Sequence, residues 1–162
     1  MKKCDIHIRY TEYSKAADLP PKDKALVAAA RKAASDAYAP YSEFKVGAAV
    51  LLKNGVVVVG NNQENAAYPS GLCAERVALY AASAQHPGIP IQAIAITATS
   101  KRFAVNTPVS PCGACRQVMA EYQTLYKHPI RLLLTGSKGK VTVLENIDSV
   151  LPFIFDASQL KK

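Results

Sequence analysis

From Lys22 to Leu144 the chain keeps switching between two apolar periodicities, and that alternation limits its architecture more than any other feature. Residues 22–38 are alanine-rich, with Leu26, Ala29, Ala30, Ala33 and Ala37 three or four apart, the spacing of one helical face. Ala39-Pro40-Tyr41-Ser42 stops that helix. Two β-branched runs, 46–52 and 56–59, then flank Lys53-Asn54-Gly55, and an Asn-Gly pair between such runs predicts a hairpin. Residues 61–69 are polar and read as loop. Residues 73–84 are helical in composition and end at His86-Pro87-Gly88, and 91–99 are apolar enough for a strand inside a sheet. Residues 102–110 read as loop, 113–122 as a helix carrying Val118 and Met119, 130–135 and 140–144 as strands, and 146–162 as short helical turns. Helices and strands in this order imply an α/β fold, a central sheet covered on both faces.

The chain of 162 residues reads as one domain with no internal repeat. Residues 1–20 are mixed in character and end at Pro20-Pro21, so they are set apart as an N-terminal extension, a strand or an arm, before a domain spanning 21–162. Lys2 and Lys3 have no apolar run behind them, unlike a signal peptide, and no stretch reaches the ~18 apolar residues of a membrane span. A cytoplasmic protein without a membrane partner is expected, and in that compartment clustered cysteines suggest metal or catalysis rather than bridges. The formal charge of +8 invites a nucleic-acid reading. The basic residues are scattered, however, and form no stripe interleaved with aromatics, so a solvated surface is the simpler account and no nucleic-acid partner is expected.

Three of the four cysteines fall in two short stretches, Cys73-Ala74-Glu75-Arg76 and Pro111-Cys112-Gly113-Ala114-Cys115-Arg116. At the start of a helix, the spacing of Cys112 and Cys115 directs both sulfurs to one side. Cys73 opens the other helix, and two facing helix N-termini would gather three thiolates and favour their charged forms. Three protein ligands leave a fourth position open for water, as a catalytic zinc ion needs, whereas a structural site is closed by a fourth ligand. Cys4 lies in the extension and reads as a free thiol, and His7, His86 and His128 lack metal spacing.

Glu75 sits two residues from Cys73, where a carboxylate can take a proton from water at the metal and return it to substrate. Alone it would read as a first-turn glutamate stabilised by the helix dipole. Beside the cysteine pair it completes the pattern of zinc deaminases, including the variant with three cysteines. Three thiolates overcompensate a divalent ion and weaken its acidity toward water. Arg76, with or without Arg116, is therefore expected to donate to the sulfurs, against the plainer reading of surface helix charges. Asn62 and Glu64, two apart in a polar block after a strand, can point the same way and bind paired hydroxyls.

These blocks, with Ala37-Tyr38-Ala39-Pro40-Tyr41-Ser42-Glu43-Phe44-Lys45-Val46-Gly47-Ala48-Ala49 and Asn61–Pro69, resemble the small cytidine deaminases of the homotetrameric, three-cysteine type over about residues 22–160. The resemblance implies a three-layer α/β/α sandwich with a central mixed sheet of about five strands. It implies one Zn²⁺ per subunit on Cys73, Cys112 and Cys115, and Glu75 as the proton carrier in hydrolytic deamination of cytidine and 2'-deoxycytidine within pyrimidine salvage. By the same resemblance Asn62 and Glu64 hold the ribose of a nucleoside, Phe44 lies against the pyrimidine, and the backbone N–H of Ala74 contacts the base. Phe155 matches an aromatic that covers an active site, its own or a neighbour's. The competing readings are a nucleotide or nucleic-acid deaminase, a deaminase of aminoglycosyl nucleoside antibiotics, and a structural zinc module with a fourth protein ligand.

Overall fold

The computed structural model describes residues 1–160. Its strands are β1 (Thr11–Tyr13), β2 (Phe44–Leu52), β3 (Val57–Asn61), β4 (Ile91–Ser100), β5 (Arg131–Thr135) and β6 (Val141–Leu144), and its helices are α1 (Pro21–Ser35), α2 (Ala74–Gln85) and α3 (Gly113–Tyr126). The strands form one sheet in the order β1-β6-β5-β4-β2-β3. Only the central β4–β5 pair is parallel; the other pairs are antiparallel. The sheet is thus mixed, as expected, but has six strands rather than about five. The sixth is β1, contributed by the segment set apart as an extension. Three residues carry too little periodicity to announce a strand, and β1 is held by a ladder to distant β6 and by Lys140, whose Nζ donates to Glu12 at 2.7 Å.

Side chains alternate across the sheet, which gives each face its own core. On one face α1 lays Leu26, Val27 and Ala30 over Ala49, Ala93, Ala95, Leu133 and Val143. On the other, α2 and α3 bring Ala78, Leu79, Met119 and Ala120 onto Ala48, Val50, Ile94, Ile96, Leu132 and Leu134. The small residues set the spacing. A Cβ on Gly47 would collide with the Ala30 carbonyl of α1, and one on Gly60 would lie 2.5 Å from the Ala78 nitrogen and 2.8 Å from the Ala74 oxygen of α2. Neighbouring strands therefore each carry a glycine that lets a helix settle on an opposite face of the sheet.

The Asn-Gly hairpin forms where the sequence places it, with Gly55 at φ +88° and Asn54 Oδ1 accepting from the Val56 amide at 3.2 Å. Helix α1 ends at Ser35, earlier than expected, because Tyr38 leaves it to bridge Gln63. Helix α3 runs four residues further than expected, to Tyr126, closed by Lys127 in the left-handed conformation at φ 48°. Of the expected C-terminal turns, Ile147–Ser149 and Ala157–Gln159 form 3₁₀ turns, and residues 161–162 lie outside the described residues. Asp23 of α1 is buried and takes a two-pronged bond from Arg131 of β5, at 3.0 and 2.9 Å.

Candidate metal centre and substrate cleft

Cys73 and Cys112 occupy equivalent positions: each is the extended residue directly before a helix, α2 and α3 respectively, and neither sulfur caps its own helix. The first N–H groups of both helices have no partner within the helix, so both sulfurs stand in the positive field of a helix start. Cys115 lies one turn into α3, fully buried. The three sulfurs come together, with Cys73 Sγ 3.8 Å from Cys112 Sγ and Cys112 Sγ 3.4 Å from Cys115 Sγ, all within 4.8 Å of one another. Tetrahedral ligands ~2.3 Å from a zinc ion stand about 3.8 Å apart, so this donor set fits Zn²⁺ without rearrangement of either helix. Among the described residues it is the one cluster of potential metal-ligating side chains, and Cys4 lies outside it.

The electrostatics are those of thiols crowded together. A hydrogen bond from Cys115 lowers the Cys73 thiol to about 5, against the opposing effect of burial and with help from the Arg76 guanidinium. The same bond and burial push the Cys115 thiol up. Arg76 Nη2 lies 3.9 Å from Cys73 Sγ, and among the described residues its buried Nε has no partner, so the side chain keeps a spare donor. Arg116 takes another place. Its Nε donates to the Pro111 carbonyl at 2.8 Å and its Nη1 to the Val150 carbonyl at 3.0 Å, and among the described residues it bonds no sulfur. It ties the loop before Cys112 to the C-terminal segment instead.

Glu75 is 4% exposed, and burial raises its carboxyl above the ordinary range, with the neighbouring Cys73 charge acting in the same direction. A carboxyl so placed exchanges protons nearer neutrality than a surface glutamate does. Glu75, Cys73, Cys112 and Arg76 line a cleft of about 640 Å³ whose other walls include Phe44, Asn62, Glu64, Tyr68 and Leu72. That volume suits a small organic molecule.

The remaining expected residues take varied positions. Glu64 Oε2 accepts from the amides of Tyr41 at 2.8 Å and Ser42 at 3.3 Å, and Oε1 accepts from the Ser42 hydroxyl. Those bonds, the Ser42 hydroxyl first, hold its carboxyl below the usual range. Asn62 Oδ1 accepts from the Val46 amide at 2.7 Å and its Nδ2 donates to the Phe44 carbonyl at 3.0 Å. Glu64 thus braces the loop leading into β2 and Asn62 the first residues of β2 itself, and each keeps hydrogen-bonding capacity for a ligand. Ala74 is fully buried, and its N–H, the first of α2, has no intrahelical partner. Phe155 stands apart: its ring is exposed, it is absent from the cleft of its own chain, and its carbonyl accepts from Gln117 Nε2 at 2.6 Å.

Two features of the cleft were not legible in the sequence. Tyr41 and Tyr68 meet edge to face at its mouth, with ring centres 6.2 Å apart. Behind Phe44, Phe103 stacks at 6.1 Å, next to Arg102, whose Nε bonds Glu43 at 2.6 Å. Glu43 holds a left-handed backbone at φ 55° between Ser42 and Phe44. Residues 102–103 lie in a stretch that reads only as loop, and nothing local signals that it folds back on the segment before β2.

Sulfurs from two helix starts, a buried acid beside them and a mixed sheet covered on both sides define a metal-dependent enzyme of the three-layer α/β/α type. The family is specific: this chain belongs to the cytidine and deoxycytidylate deaminase zinc-binding family, whose sequence profile matches residues 20–128. The chain is similar to a cytidine deaminase of Halalkalibacterium halodurans, 42% identical over 135 residues that cover 83% of this chain and 95% of that one. The fold is similar to the crystal structure of cytidine deaminase from Burkholderia pseudomallei, with a TM-score of 0.70 and 44% identity over 81% of this chain and 97% of that one. It is also similar to the cytidine deaminase structure from Mycobacterium tuberculosis, with a TM-score of 0.63 and 30% identity over 82% and 95% of the two chains.

Proposed function

We propose that this chain catalyses zinc-dependent hydrolytic deamination of cytidine and 2'-deoxycytidine, giving uridine and 2'-deoxyuridine with release of ammonia. The observation that carries this reading is the meeting of three sulfurs at the wall of a cleft that two of them, Cys73 and Cys112, line together with a buried glutamate. Cys73, Cys112 and Cys115 would hold Zn²⁺. The ion supplies a Lewis acid that lowers the pKa of water.

The chain's own groups do the rest. Phe44 offers an aromatic wall to the pyrimidine, and the first amide of α2, at Ala74, offers a donor to the base. Asn62 donates to and accepts from the sugar hydroxyls, and the Glu64 carboxylate accepts from them. The Glu64 carboxylate makes that part of the cleft a poor neighbour for a phosphate, which favours a nucleoside over a nucleotide. Glu75 accepts a proton from the attacking water and gives it to N3 of the pyrimidine as the new C–O bond forms at C4. It then carries the second proton to the amino group, the C4–N bond breaks, and ammonia leaves. Burial suits Glu75 to both transfers, because it brings the proton affinity of the acid closer to neutrality. Arg76, beside Cys73, draws charge from the thiolate; Arg116 supports the loop before Cys112 through backbone carbonyls.

The catalytic unit spans 21–162, with residues 1–20 an extension that adds β1 to the sheet. Among the described residues no helix is long and apolar enough to cross a membrane. We place the protein in the cytoplasm, in pyrimidine salvage, as a homotetramer in which the exposed Phe155 covers the cleft of a neighbouring subunit.

The test is the loss of cytidine absorbance on incubation with the zinc-loaded protein, beside CMP and a single-stranded oligonucleotide. Cytidine should turn over, a chelator should abolish the change, and the two phosphorylated substrates should react far more slowly. Preferred turnover of CMP or the oligonucleotide would overturn the nucleoside assignment, and turnover unaffected by zinc removal would overturn the metal assignment.

A further inference from the structure

Residues 1–10 are exposed throughout, and among the described residues no hydrogen bond ties them to the rest of the chain. They run directly into β1, the edge strand of the sheet, which is itself anchored by its ladder to β6 and by Tyr13 packed on the α1 core. The arm is not featureless. Ile6, Ile8 and Tyr10, 56%, 50% and 62% exposed, alternate with Asp5, His7 and Arg9, the pattern of a strand with one apolar face. A strand of that kind with both backbone edges free is a template for pairing with another chain.

The segment is complementary to itself. When two copies are set antiparallel with His7 opposite His7, Asp5 of each faces Arg9 of the other and Ile6 of each faces Ile8 of the other. Cys4 then faces Tyr10, and Lys2 faces Glu12. Opposite residues of an antiparallel pair lie on the same face, so every apolar residue of the stripe meets an apolar or thiol side chain. Other registers lose the apolar match or the charge match. Centring on Ile6 sets Lys3 against Arg9 and Lys2 against Tyr10; centring on Ile8 keeps the apolar pairs but sets His7 against Arg9 and leaves Asp5 facing Thr11; a centre between residues sets Ile8 against Asp5 or Ile6 against Arg9. An isolated two-stranded ribbon is marginal in water. Here each end of the ribbon would lie beside a partner's β1, which β6 already backs, so three strands are paired there.

We propose that residues 2–12 form an antiparallel ribbon with the same segment of a second copy of this chain, in the register centred on His7, joining two six-stranded sheets edge to edge. The interface is isologous, so one two-fold axis passes between the His7 residues.

Charge reversal tests it on the full, zinc-loaded chain by sedimentation velocity over about a hundredfold range of concentration. Wild type should show a doubling of mass with concentration, beyond whatever assembly persists at the lowest. Asp5→Arg, and separately Arg9→Asp, should weaken that step on the order of tenfold, because each turns two attractive cross-strand pairs repulsive. Asp5→Arg with Arg9→Asp should restore it. No concentration-dependent doubling in wild type, or a double variant no better than either single one, would overturn the proposal. The second measurement is register-specific. With Cys4→Ser, His7→Cys places two thiols ~4.5–5.5 Å apart between Cα atoms, within disulfide reach. Mild oxidation should cross-link it between copies, and Lys3→Cys, which the register sets against Thr11, should not cross-link. Equal cross-linking of both, or of neither, would refute this pairing.

Discussion

Gly60→Ala tests whether the sheet sets the geometry of the metal centre. Gly60 lies on β3, in the strand before the loop that leads to Cys73, and its missing Cβ is where α2 rests on the sheet. An alanine there would place Cβ 2.5 Å from the Ala78 nitrogen, 2.8 Å from the Ala74 oxygen and 3.0 Å from the Ala78 Cα. All three are helix backbone, so no flexible side chain can yield. Relief to an ordinary contact of 3.4 Å at the closest atom requires α2 and β3 to separate by 0.9 Å (3.4 minus 2.5). Ala74 is the first residue of that helix, so Cys73 and Glu75 move with it while Cys112 and Cys115 stay on α3. Metal–ligand distances tolerate about 0.2 Å, far less than this displacement. Overpacking of this kind costs about 1–3 kcal/mol of stability. A misplacement near 1 Å at reacting groups lowers turnover on the order of 10²-fold. Thermal unfolding, competition for zinc with a chromophoric chelator, and cytidine turnover read the three effects separately. Gly113→Ala is the contrast for stability: its added Cβ meets nothing within 4 Å, although it sits between two of the sulfurs. A Gly60→Ala protein with unchanged zinc affinity and turnover would refute the claim that β3 fixes the position of α2.

Three further outcomes follow from single contacts. Glu75→Gln should hold zinc and lose cytidine turnover by at least about 10²–10⁴-fold; since burial raises the Glu75 carboxyl, its ionised form opposes folding above the ordinary glutamate range, so the amide should also raise the unfolding temperature of the zinc-free protein at neutral pH. A zinc-free Glu75→Gln protein that melts lower than wild type would contradict that sign. Arg76→Gln should keep zinc and lower kcat more than it raises KM, because its Nη2 faces Cys73 and it acts through the thiolate; unchanged kcat would remove it from that role. Arg131→Met leaves the buried Asp23 carboxylate without its two-pronged partner, and with Arg131 itself a third exposed the loss should be about 3 kcal/mol by urea unfolding, largely recovered by adding Asp23→Leu.

Local chemistry made much of this protein readable from residues alone. The Asn54-Gly55 turn, the alanine-rich face of α1, and the Cys73, Cys112 and Cys115 spacing at helix starts each depend on neighbours within a few positions, and each formed where the sequence placed it. The pairing of Cys73 with the other two was inferable because two helix starts with like ligands, facing one another, have one economical arrangement. What sequence could not supply was contact between segments with no local signature. β1 is three residues long and exists because β6, far along the chain, offers it a ladder. Arg116 carries the same charge as Arg76 and follows a cysteine as closely, yet the chain turns its guanidinium toward Pro111 and Val150, away from the sulfurs. Phe103 behind Phe44, and Glu64 bracing Tyr41 and Ser42, likewise arise from loops folded back across long separations. Short-range periodicity and ligand spacing are fixed by bond geometry, so the sequence determined the elements other than β1 and the cysteine trio that could hold a metal; which side chains face one another across the cleft depends on how the layers pack, and only the tertiary structure decided that.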